Sequence, residues 1–163
     1  MALHRAGDEV QPAQVAALRR SSRLTHLKRA GGQPLQALAL AERDLALMAR
    51  IMSKGDTDAL TVYEHGSALL ELGRLREASA ELQRSVDIAR AKDDKLVLIR
   101  AELALIRAWL ARGETVDLAK AQGLFHSEQV QWKAIADRQS PTAVEVWRTQ
   151  AMLTAAQGDL PAA

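Results

Sequence analysis

Four histidines, His4, His26, His65 and His126, are the side chains best suited to proton transfer or metal ligation near neutral pH. No two stand at metal-ligand spacing, and they fall in separate segments of the chain. They read as surface or edge residues, with His65 expected to be partly buried. Gly31–Gly32 closes a helical stretch instead of following a strand, so it forms no phosphate loop. No G-x-S-x-G nucleophile turn occurs. The adjacent acids Asp8–Glu9 and Asp93–Asp94 fit helix capping and solvation. Arg19, Arg20, Arg23, Lys28 and Arg29 form the one basic run that could meet nucleic acid. They spread over more than one side of a helix, and no aromatic residue lies there to stack on a base. Trp109, Trp132 and Trp147 read as core or groove packing. Catalysis needs groups that converge, and these do not. The expectation is a binding protein without catalytic residues, cofactor or metal.

The 163 residues suffice for one domain or a short repeat array. Hydrophobic residues make up 48% and charged residues 26%, as in a soluble fold. Ala, Leu, Arg, Glu and Gln dominate, and these residues lose little on entering a helix. The net charge of +2 exerts no strong pull toward nucleic acid or membrane. Without cysteine there is no disulfide framework or thiolate metal site, which fits a cytoplasmic protein. No apolar run approaches the ~18–20 residues that span a bilayer, and Met1 to Val10 contains no secretory h-region.

The elements that must position any site are helices. Gly32, Gly73, Gly113 and Gly158 punctuate the chain about every 40 residues, the mark of a helical repeat array. Seven helices are expected: Pro12 to Ala30; Pro34 to about Met52; Asp56 or Thr57, as cap, to the residue before Gly73; Leu75 to Ala91; from caps Asp93 and Asp94 to the residue before Gly113; Thr115 to Asp137; and from Ser140–Pro141 to Gly158. Apolar residues recur at steps of three and four, as at Leu75, Ala78, Leu82, Val86 and Ala89. Short connections then make successive helices antiparallel.

The segment Ala59 to Arg90 resembles a tetratricopeptide repeat. Val62, Gly66, Leu69, Gly73, Ala78, Leu82 and Ser85 occupy the positions where that motif alternates bulky and small residues. Trp147, Ala151, Gly158 and Ala163 fit a last unit. Around Gly113 the match is poorer, with Ile106 and Leu118 where small residues belong, and the first unit contributes little beyond Ala37. The long units resemble those of kinesin light chains, large bacterial transcription activators and bacterial regulatory kinases. The resemblance implies an all-α, right-handed superhelical solenoid of antiparallel helix pairs. Residues 1–11 are expected as a flexible segment, and 12–163 as about 3.5 repeats cut short at the C-terminus. The open end implies a fragment of a longer regulator, or docking on another copy.

The resemblance also implies a concave groove lined by the first helix of each pair. Its positions give Leu60, Tyr63, Ser67, Leu70 and Glu71, then Arg100, Leu103, Arg107, Leu110 and Ala111, then Glu145, Arg148, Met152, Ala155 and Ala156. Tyr63 is the expected anchor, and the arginines would fork onto acidic groups of a protein or peptide partner. The bland alternative pairs those arginines with Glu71, Glu102 or Glu145. The carboxylate clamp of cochaperones needs Lys and Asn where Tyr63 and Ser67 stand, so it is absent. Two rival functions are a peptide sensor that changes oligomeric state, and nucleic-acid binding through the first helix.

Overall fold

The computed structural model describes residues 12–51, 57–129, 132 and 141–158. Positive-φ residues divide this chain. Gly32, Gly73, Gly113 and Gly158 all have φ between 70° and 76°, a left-handed geometry that glycine adopts without a Cβ penalty. At Gly73 the paired bonds Gly73 N–H to Leu70 O and Arg74 N–H to Leu69 O close a Schellman turn. Asp93, at φ 53°, makes the equivalent turn without a glycine. Asp94 then caps the next helix, accepting from Val97 N–H at 3.1 Å. So the expected pair of caps divides its work, Asp93 stopping one helix and Asp94 starting another.

Seven helices appear among the described residues: α1 Pro12–Ala30, α2 Pro34–Ile51, α3 Ala59–Glu71, α4 Leu75–Ala91, α5 Lys95–Arg112, α6 Thr115–Ser127 and α7 Pro141–Gln157. No strand occurs among them. Two expectations need correction. The cap of α3 is Asp58, whose Oδ2 accepts from Thr61 N–H at 2.9 Å; Thr57 precedes it and Asp56 lies outside the described residues. The sixth helix stops at Ser127, with Glu128 in a turn, instead of continuing to Asp137. Most of 130–140, the expected flexible segment 1–11, Met52 and Ala163 lie outside the described residues.

Consecutive helices pack on each other, and so do α1 with α3, α3 with α5 and α5 with α7. The odd-numbered helices therefore form a continuous row. One core cluster joins α3, α4 and α5 through Tyr63, Leu82, Val86, Ala101 and Leu105. A second joins α5, α6 and α7 through Leu103, Ile106, Ala121, Trp132, Val146 and Leu153. Each large apolar side chain removed from water contributes about 1.5–3 kcal/mol. Gly66 sets the α3–α4 approach: a Cβ there would lie 2.8 Å from Leu82 Cγ and 3.1 Å from its backbone nitrogen. Ser85, fully buried, donates its hydroxyl to Ala59 O at 2.8 Å and ties the same two helices. No described helix is long and apolar enough to cross a membrane.

Candidate interaction cleft

The row of odd helices shapes a cleft of about 440 Å³. His26, Arg29 and Ala30 come from α1, and Ser67, Leu70 and Glu71 from α3. Arg107 and Ala111 come from α5, and Glu145, Arg148 and Met152 from α7. Counted from the first of them on each helix, these residues stand three, four or seven places on, the spacing of one helical face.

Charge is distributed unevenly over this lining. Arg29 is the hub of the α1–α3 contact. Its Nε donates to Glu64 Oε2 at 3.2 Å and its Nη1 to Glu71 Oε1 at 2.7 Å. Its guanidinium lies 5.9 Å from the centre of the Tyr63 ring, a cation–π arrangement. Burial works against its charge, but Glu64, Tyr63 and Glu71 outweigh it and push its pKa up. Burial likewise pushes the Glu64 carboxyl up, against the pull of Arg29, His26 and Arg100. Across the cleft Arg107 Nη1 donates to Glu145 Oε2, joining α5 to α7. Arg148 is exposed and makes no ion pair among the described residues. Ser67 is buried in the lining, and its Oγ finds no hydrogen-bond partner among the described residues.

Of the groove residues expected from the sequence, the structure brings Ser67, Leu70, Glu71, Arg107, Ala111, Glu145, Arg148 and Met152 to this one cleft. Others go elsewhere. Leu103 is fully buried between α5, α6 and α7, so it is core and not groove. Tyr63 is buried in the α3–α4–α5 cluster, so it backs Arg29 instead of offering an exposed anchor. Leu60 and Leu110 are half-buried against the two core clusters. Arg100 lines no part of the cleft and acts on Glu64 from a distance. The exposed Ala155 and Ala156 also lie off its lining.

Internal pairing claims part of the charge, in a different pattern from the one expected. Glu145 takes Arg107, but Glu71 takes Arg29, and Glu102 takes Arg90 at 2.9 Å. His26, Arg29 and Ala30 are the cleft residues that the sequence reading missed. Their steps of three and four from His26, at the end of α1, were the available signal. Arg29 also leaves the basic run, and Lys28 donates to Gln33 at 2.9 Å, while Arg19, Arg20 and Arg23 remain exposed.

The tryptophans separate too. Trp132 is buried, edge-on to Phe125 with ring centres 4.7 Å apart, whereas Trp147 on α7 is 54% exposed. His65 is half-buried, 3.3 Å from Glu81. A larger opening of about 550 Å³ lies between α6 and α7. Gln122, Gln129, Gln150 and Gln157 line it with His126, Thr154 and apolar residues, and among the described residues no arginine, lysine or carboxylate does. The charged groups converge in the first cleft, which makes it the stronger candidate.

No family model matches the chain, and neither a curated relative nor a solved structure matches it.

Proposed function

We propose that this protein is an interaction scaffold of the tetratricopeptide-like, right-handed superhelical type, and that the cleft along its odd helices holds a segment of a partner protein. The observation that carries this reading is the composition of the cleft. All four odd helices contribute to it, half-buried Leu70 and Met152 supply apolar surface, and Arg148 stands beside them without an ion pair among the described residues. On this reading Arg29 and Arg107, engaged by carboxylates, tie the odd helices together and leave the cleft to hold its occupant. Such a module suits the regulatory part of a larger bacterial protein.

Photo-crosslinking tests the reading. A crosslinking amino acid placed at Met152 in the cleft should give discrete protein adducts in lysate. The same group at exposed Ala80 on α4 should give few. Equal labelling from both positions, or none from Met152, would overturn it.

A further inference from the structure

We infer that the cleft selects a partner segment by one carboxylate side chain, an Asp or Glu beside an aliphatic residue, read by Arg148. This rests on the scaffold reading above and gives its partner a chemistry.

The count of charges around the cleft leads to this. Arg29, Arg107 and Arg148 face Glu71 and Glu145, with Glu64 directly behind Arg29. Arg29 is shared between Glu64 and Glu71, and Arg107 is engaged by Glu145. Arg148 is the cation that none of these carboxylates engages.

A guanidinium of this kind can fork onto a carboxylate or a phosphate. The surroundings decide between them. Leu70, Glu71 and Ala111 belong to the last turns of α3 and α5, where the helix macrodipole ends carry partial negative charge. Glu71 and Glu145 add two full negative charges on the same lining. A phosphoryl group carries about −1.5 to −2 at neutral pH and meets more repulsion here than a single carboxylate does.

One further feature shapes the occupant. Leu70, Met152, Ala30 and Ala111 offer apolar surface for a neighbouring aliphatic side chain.

The test starts from a displayed library of short random peptides selected on the purified chain. Enriched peptides should carry one Asp or Glu close to Leu, Ile, Val or Met. They should also block crosslinking from Met152. Arg148 is exposed and unpaired among the described residues, so Arg148→Ala and Arg148→Glu should fold normally, as checked by circular dichroism. Arg148→Ala should weaken a selected peptide about tenfold. Arg148→Glu should select Lys or Arg in place of the acid. Phosphoserine at the acidic position should bind more weakly than Asp or Glu.

The inference falls, and the scaffold reading survives, if peptides that block Met152 crosslinking show no acidic preference. The same holds if Arg148→Glu leaves the selected sequences unchanged, or if phosphoserine tightens binding. Should no peptide be enriched at the cleft, both fall together.

Discussion

Glu102 lies in the core on α5, with Arg90 Nη2 of α4 2.9 Å from its Oε1. Burial, joined by the nearby Glu128 charge, pushes its carboxyl up to about 7 against the pull of Arg90. An unfolded chain titrates the same group near 4.5. Between those two values the folded protein holds a proton that the unfolded chain has lost. Stability therefore falls as pH rises through that window and levels off above it. The expected loss is about 1–3 kcal/mol, and urea unfolding at either end of the window measures it. Glu64, raised in the same direction by burial, adds a slope of the same sign. Glu102→Gln should remove most of the Glu102 share. An unchanged slope in that variant would assign the pH dependence to other groups.

Between elements, Gly66 decides how closely α3 and α4 approach. Gly66→Ala places a methyl group against Leu82 Cγ and the Leu82 backbone. The helices would have to separate, at a cost of about 1–3 kcal/mol in denaturant unfolding. A variant as stable as the parent would show that this contact yields freely. Gly66 was legible in the sequence as a small residue where a repeat pattern wants one, and the helix-ending glycines were legible from their period. Other boundaries were not. The stop of α6 at Ser127 carries no glycine or proline, and Glu128 turns the chain without either. Asp58 competed with two neighbouring cap-capable residues, and local chemistry alone does not rank them. The cleft positions on α3 and α7 followed from the resemblance to a repeat motif, through the positions it places in a groove. Each of α3, α5 and α7 also carried expected residues that lie off the cleft, most of all α5, because α3, α4, α6 and α7 all pack on that helix. Leu103 has no solvent face left for a groove. The contribution of α1 escaped because its own sequence departs most from the repeat pattern.

Over the whole molecule, α5 is the most enclosed element, and α3, α4 and α5 pack most extensively. Among the described residues α7 rests mainly on α5 and only lightly on α6, and its Val144 is 57% exposed. Amide hydrogen exchange should report this gradient. The slowest amides are expected in α3 to α5, with α7 exchanging faster through local opening. Uniform protection from α3 to α7 would mean that the helices open only together. The continuous row of odd helices has a further consequence, for how the chain finds its structure. Each extensive contact joins a helix to its neighbour or to the next helix but one. Little chain entropy is lost in closing such short loops. Folding should then take about microseconds to milliseconds, and each helix pair can dock as it leaves the ribosome without waiting for the rest of the chain.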